Sequence, residues 1–263
     1  AHTLLLQKSD RVLELGCGVA RVGRELASFC GRWHGVDISE NMLKVARLRT
    51  AHLPNVEFHL LSRTSLSMFP ENYFDKAYSV AVFIHLDKED LFLYLQELAR
   101  VLRPGGMLYF ETWNLAHEFG WKRWFFEVEQ WAGSDQNQRK NVARNQFCVP
   151  EEVRLYVRKA GLEELYCLAD SPWIQMIAGR AGQGVDLSAS RQQVQNNLSQ
   201  ITYTPTWGRL FGALLDVLTD QRRPDDFLKE LDDLGTVPEA EPYRHYLLAL
   251  WKGRQAEWGT VPP

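Results

Sequence analysis

Val12-Leu13-Glu14-Leu15-Gly16-Cys17-Gly18-Val19-Ala20-Arg21 is the stretch from which the rest of the chain is read. The apolar run from Arg11 to Leu15 is short and closes on two glycines, the pattern of a buried strand followed by a tight turn. Glycines at such a turn let the backbone approach a ligand closely, and a helix N-terminus beyond it presents free N–H groups. Val19, Val22, Leu26 and Phe29 then recur at helical spacing and are expected to form one apolar face.

Outward from this stretch, strand and helix signals alternate. His34 to Asp37 reads as a second strand, and Ser39 occupies an N-cap position before a helix ending near Leu48. Val56 to Leu61 is a third strand after the Pro54-Asn55 break, and Asp75 to Val80 a fourth. Leu91, Leu95, Leu98 and Leu102 form the stripe of a helix that Pro104-Gly105-Gly106 stops, before a fifth strand from Met107 to Thr112. This alternation with short connections predicts an α/β fold, a doubly wound parallel sheet covered by helices on both faces.

The rhythm breaks over residues 113–147, which are crowded with Trp113, Phe119, Trp121, Trp124, Phe125, Phe126 and Trp131. It resumes at Pro150, a good first helical position, in a helix lined by Val153, Tyr156, Val157 and Ala160 and ended by Gly161. Glu164–Ala169 and Trp173–Ala178 lie so close in sequence that they predict an antiparallel hairpin. Gly179 to Gly184 marks the best domain boundary. Beyond it only helical patterns occur, with apolar faces at Trp207, Leu210, Phe211, Leu214, Leu215 and Leu218, and at Tyr243, Tyr246, Leu247, Leu250 and Trp251. The expected organisation is a ligand-binding domain over 1–180, with 113–147 as a substrate-side insertion, and an all-helical extension over 181–263.

The 263 residues, 45% apolar and 24% charged, can bury a sizeable core. No apolar run is long enough to span a bilayer, so no membrane partner is expected. A net charge of -3 gives no global attraction to phosphate backbones and argues against nucleic acid as a partner. Cys17, Cys30, Cys148 and Cys167 show neither CxxC pairing nor zinc-ligand spacing, so four reduced thiols in a cytoplasmic protein are expected, with no metal. The first strand begins almost at once after Ala1, which leaves a trimmed or longer parent chain, or a homodimer, open.

Asp37 ends the second strand, where a carboxylate can accept both hydroxyls of a ribose. With the glycine turn it points to a nucleoside-containing cofactor. A dinucleotide fingerprint, G-x-G-x-x-G/A, needs a small residue at position 21, where Arg21 stands. Glu14 at the mouth of the first strand would also repel a pyrophosphate, whereas it would welcome an ammonium group directly or through water.

Glu14-x-Gly16-x-Gly18, Asp37-Ile38-Ser39, Phe74-Asp75 and Leu102-Arg103-Pro104-Gly105-Gly106 stand in an order and spacing that resembles the class I S-adenosylmethionine-dependent methyltransferases, in particular those acting on small molecules. The resemblance runs from about Leu6 to Arg180. It implies a seven-stranded sheet of order 3-2-1-4-5-7-6 with strand seven antiparallel, and S-adenosylmethionine as cofactor, S-adenosylhomocysteine as product. By the same resemblance Gly16, Cys17 and Gly18 belong beside the methionine moiety, Asp37 on the ribose, and Ile38 and Met42 near the adenine; Glu14 and Arg21 are further candidates for cofactor contact. Ser62 and Arg63 stand where the family often has an Asp facing the adenine amino group. Val80 offers a carbonyl to the methionine amino group. Ala20 replaces a frequent third glycine, which is tolerable if the backbone there is helical.

Methyl transfer from a sulfonium needs a nucleophile held behind the methyl group and no metal. Much of the catalysis is then proximity and alignment, worth up to roughly 7–11 kcal/mol. A general base adds roughly 10²–10⁴-fold when the acceptor must lose a proton. His85, after the fourth strand, is the candidate base, against its alternative as a structural hydrogen-bonder. Glu111, Trp113 and Asn114, at the end of the fifth strand, are the candidate substrate contacts. The expected function is methylation of a small or medium organic acceptor on oxygen, nitrogen or carbon. The alternatives are a methyltransferase acting on protein or RNA, and a non-catalytic module that binds cofactor or a partner.

Overall fold

Strand β1 (Arg11–Leu15) is buried at every position after Arg11, as a central strand covered on both faces requires. The computed structural model describes residues 1–135, 145–201 and 205–262. Residues 136–144 of the expected insertion and 202–204 of the expected extension lie outside the described residues. β1 pairs in parallel with β2 (Arg32–Asp37) on one side and β4 (Phe74–Ser79) on the other. β3 (Val56–Leu60) lies beside β2, and β5 (Leu102–Asn114) beside β4. Two residues, β6 (Phe147–Cys148), pair with the end of β5. The hairpin of β7 (Leu162–Leu168) and β8 (Trp173–Arg180) completes the order β3-β2-β1-β4-β5-β8-β7, with β8 antiparallel to β5. Both the doubly wound expectation and the antiparallel penultimate place in the sheet hold.

The helices are α1 (Gly23–Leu26), α2 (Glu40–Arg49), α3 (Lys88–Val101), α4 (Glu118–Trp131), α5 (Pro150–Lys159), α6 (Ser188–Asn196), α7 (Leu198–Ile201), α8 (Pro205–Leu218), α9 (Pro224–Asp233), α10 (Ala240–Gly253) and α11 (Gln255–Trp258). Leu91, Leu95 and Leu98 of α3 and Val153 and Val157 of α5 pack on Leu13, Leu15, Leu108 and Phe110, one face of the sheet. The opposite face, Val12, Trp33, Tyr78 and Met107, is covered by Ala20, Ala27, Leu43 and Ala46. Leu187 and Val194 join this second cluster, so the first helix after the glycine-rich boundary docks on the sheet. The extension has a separate core of Leu210, Leu214, Phe227, Leu231, Tyr243, Leu247 and Trp251. No described helix is long and apolar enough to cross a membrane.

Some local expectations need correction. The helix after the glycine turn is one turn long and continues as a 3-10 turn over Ala27–Phe29, and Phe29 is 50% exposed. The buried positions are Ala20, Gly23, Ala27 and Cys30 instead. The reason is Trp33, whose ring lies where a side chain from this segment would pack: a Cβ at Gly23 would stand 2.1 Å from it, and one at Gly35 2.4 Å. Ala20 has φ +55, in the left-handed region rather than the helical one. Its side chain is tolerated there at a cost of roughly 1–2 kcal/mol. β5 begins at Leu102, five residues earlier than expected, because Leu102 pairs with Phe74 before a register shift.

Candidate functional site

The carboxyl ends of β1, β2, β4 and β5 carry almost every side chain that sequence reasoning singled out, as the crevice rule for open α/β sheets requires. At the end of β1 the chain turns through Gly16, φ +73, where any Cβ would stand 2.3 Å from Val82. The amides of Gly16 and Cys17 both donate to Val36 O, at 2.8 and 3.0 Å, and that of Gly18 donates to Asp37 Oδ2 at 2.7 Å. These three N–H groups are therefore engaged inside the protein. The turn offers a ligand a bare backbone surface, and a Cβ at Gly18 would meet nothing within 4 Å.

Asp37 fastens the loops after β1 and β2 together, since its Oδ1 also accepts from Ser39 N at 2.8 Å. Each oxygen keeps a lone pair for a further donor. Ser39 in turn caps α2 by accepting from Met42 N at 3.3 Å. Ile38 and Met42 are 75% and 48% exposed, an apolar ledge beside a carboxylate that a flat ring would cover. Ser62 and Arg63 are exposed just after β3, with the Arg63 guanidinium on Ser67 Oγ at 3.2 Å. Arg21 is exposed on the turn. Together they bring the glycine turn, the carboxylate and the ledge to one end of the sheet, a fit for a nucleoside with a methionine-like arm.

Glu14 differs from expectation. It is 4% exposed and faces the core beside Tyr78, whose hydroxyl donates to Glu14 Oε2 at 2.7 Å and accepts from Trp33 Nε1 at 2.9 Å. Burial lifts its pKa to about 8. Its carboxyl group is thus closed to open contact with a ligand. Sequence reasoning missed Trp33 and Tyr78, although both lie at buried registers opposite β1.

On the acceptor side, Val80 is half-buried and the next residue, Ala81, has φ +57. The Ala81 amide donates to Glu111 Oε1 at 3.2 Å. Glu111 Oε2 accepts from Tyr109 Oη at 3.0 Å, and Gln175 Nε2 donates to the same hydroxyl at 2.8 Å. Burial raises the Glu111 pKa. Glu111 thus holds the strand-four loop in place, and Tyr109 and Gln175 were not expected. Strand alternation puts Tyr109 and Glu111 on one face, a signal available in the sequence. His85 is exposed at the end of the 3-10 turn Phe83–His85 that this loop leads into.

The Asn114 side chain is engaged within the protein. Its amide nitrogen donates to Ala169 O at 2.9 Å and Ser171 O at 3.2 Å, and its Oδ1 accepts from Ala116 N at 3.1 Å. It ties β5 to the β7–β8 turn and has no capacity left in its amide nitrogen for a substrate. Trp113 is buried between Phe147 and Trp173, with ring centroids 5.7 and 5.0 Å away. Away from this end, His34, Glu57 and His59 bring three ligand atoms within 4.8 Å of one another. This group on β2 and β3 could hold a metal ion, where none was expected; it lies upstream of Asp37, among Phe69, Tyr73 and Phe74.

Residues 12–106 match the family model described as a methyltransferase domain. Demethylmenaquinone methyltransferase of Listeria welshimeri is 37% identical over 126 residues, 46% of this chain and 52% of that protein. The enzyme of the same name from Staphylococcus epidermidis is 34% identical over 110 residues, 40% of this chain and 44% of its own. The chain spans about half the length of the curated relatives it matches. Among solved structures, a SAM-dependent methyltransferase from Methanosarcina mazei superposes with a TM-score of 0.54 at 20% identity, over 67% of this chain and 94% of that one. The [4+2]-cyclase SpnF gives 0.54 at 18% identity, over 69% and 79%, a likeness of fold alone. Residues 12–106 thus carry a methyltransferase domain by sequence, and the strand order around them is the one expected of the class I, Rossmann-like S-adenosylmethionine-dependent methyltransferase fold.

Proposed function

We propose that this chain transfers a methyl group from S-adenosylmethionine to a small organic acceptor. The observation that carries the reading is Asp37, joined to Gly18 at 2.7 Å at the carboxyl end of β2, beside the open space over that glycine. Asp37 would hold the ribose, Ile38 and Met42 the adenine, and the Gly16–Gly18 turn with Arg21 and the Val80 carbonyl the methionine arm. When bound, the cofactor supplies an electrophilic methyl on a sulfonium, open to in-line displacement. The chain's own work is then to orient an acceptor at the β4–β5 ends and exclude water there, which is where proximity gives its largest return. Glu111 fixes the loop that carries Val80, and His85 stands in reach of that loop as the group to take a proton.

The curated relatives act, by their names, on demethylmenaquinone, an organic ring acceptor, which supports the small-molecule reading over a protein or RNA substrate. The match covers the cofactor half, so the acceptor atom is left to experiment. The division proposed is a cofactor-binding unit over 1–180 and a helical extension over 181–263, and the four free cysteines support a cytoplasmic setting. The test is mass spectrometry of ligands that co-purify, followed by S-adenosylhomocysteine release with a metabolite extract. Cofactor binding without turnover, together with a stable protein partner, would favour a non-catalytic module.

A further inference from the structure

A cavity of about 430 Å³ opens between the carboxyl end of the sheet and the helical extension. One wall is Trp113 at the end of β5 and Trp173 at the start of β8; the other is Phe211 and Leu218 of α8 with Tyr243 and Tyr246 of α10. Its single charged lining residue among those described is Arg123 of α4. That guanidinium is already paired with Glu127 at 2.9 Å and lies over the Phe126 ring. A charged ligand would find no unmatched partner here.

We infer that this cavity receives the apolar body of the methyl acceptor, a neutral molecule with an aromatic or alkyl tail. The inference rests on the methyl-transfer reading and names the substrate class for it. Position is the first argument. Trp113 lies two residues beyond Glu111 on the same face of β5, and Glu111 holds the Ala81 amide on the neighbouring loop. With 3.3 Å per residue along a strand and 4.8 Å between strands, the cavity wall stands roughly 8 Å from the Val80–Ala81 edge. A molecule with its reactive head at that edge would lay its tail against the tryptophans.

Packing is the second argument. The space is a cleft open to solvent on one side, with Tyr246 half exposed at its rim, and it is walled mainly by rings and leucines, which water wets poorly. Its walls are also preformed. Trp113 is held between Phe147 and Trp173, and Trp173 packs on Trp207 and Phe211 with centroids 4.8 and 4.5 Å apart. A ligand entering it reorganises little, which is how such pockets gain affinity.

The test titrates 4-n-alkylphenols of increasing chain length into the full chain by calorimetry, with and without saturating S-adenosylhomocysteine. Each added methylene should tighten Kd by about fourfold until the cavity is full, and then stop. Leu218→Trp and Tyr246→Trp, at partly exposed rim positions, fill the space. In either variant the longest phenol should bind at least tenfold more weakly while S-adenosylhomocysteine affinity is unchanged, which also shows the variant is folded. A wild-type Kd independent of chain length, or a dependence that survives in both filled variants, overturns the assignment. Chain-length dependence without any S-adenosylhomocysteine binding would instead keep the cavity and overturn the methyl-transfer reading.

Discussion

The Tyr78 hydroxyl donates to Glu14 Oε2 at 2.7 Å, joining the central strand to its neighbour β4 through a carboxyl group that burial keeps protonated up to about pH 8. A buried carboxyl with one strong donor is stable as the neutral acid and costly as the anion. The acidic residue of the glycine motif is therefore first a structural group. Any cofactor ammonium brought near it would favour the anion and shift this balance.

Stability should record that balance. The folded chain retains a proton on Glu14 that the unfolded chain releases above its ordinary pKa of 4.5. This stabilisation is complete below that value and is lost as pH rises to about 8. His34 works in the opposite sense: burial lowers it from 6.5 to about 4, so stability falls as pH falls through that window. These two slopes oppose one another between 4.5 and 6.5, and above 6.5 the Glu14 slope remains while that of His34 has ended. The unfolding free energy from urea titrations should decline between pH 6.5 and 8, by up to about 1.4 kcal/mol per pH unit, and Glu14→Gln should flatten the decline. Parallel curves for both proteins would mean that Glu14 ionises in the ordinary range.

Asp37→Ala should weaken S-adenosylmethionine and S-adenosylhomocysteine by tenfold or more, because bonds from hydroxyls to a carboxylate are worth about 1.5–3 kcal/mol each. The substitution also frees the Gly18 and Ser39 amides, so a thermal melt must accompany the calorimetry. Unchanged affinity in a folded variant would remove Asp37 from the site.

His85→Ala should lower turnover with cofactor affinity nearly intact. The exposed position of His85 makes a large stability loss unexpected. Equal losses of stability and turnover would mark it as a structural histidine.

Two truncations separate the roles of the C-terminal helices. A cut after Arg180 removes Leu187 and Val194 from the sheet's core and should cost folding or change the assembly. A cut after Asn197 keeps them and removes the cover over Trp113 and Trp173, together with the helix that packs on α4 through Phe119 and Lys122. That shorter chain should bind cofactor and lose acceptor turnover. Full activity and unchanged assembly after the first cut would show the extension to be a satellite.

Much of this architecture was legible in local patterns. The strands, the Ser39 cap, the Pro150 start and the hairpin at 162–180 follow from short apolar runs bounded by turn residues, signals that act over a few positions. The helix after the glycine turn was misread because the pattern Val19, Val22, Leu26, Phe29 says nothing of Trp33, a residue from another strand that takes the space. The bonds of Asn114 are hidden from the sequence for a similar reason: they reach the turn at 169–171, more than fifty residues away. The meeting of Phe211 and Trp207 with Trp173 also depends on tertiary docking, which no periodicity encodes.

Trp33, Gly23 and Gly35 behave as a single unit of inheritance. The indole fills the volume that a methyl group at either glycine would need, at 2.1 and 2.4 Å. Its N–H is also the donor that supports Tyr78, and through it Glu14. Alanine at position 23 or 35 is thus tolerable only after position 33 has become smaller. A smaller residue there withdraws a hydrogen bond from the chain that ends on Glu14 of β1. Single substitutions at the three sites should be harmful in any order, and drift among relatives should cross this barrier only by simultaneous change.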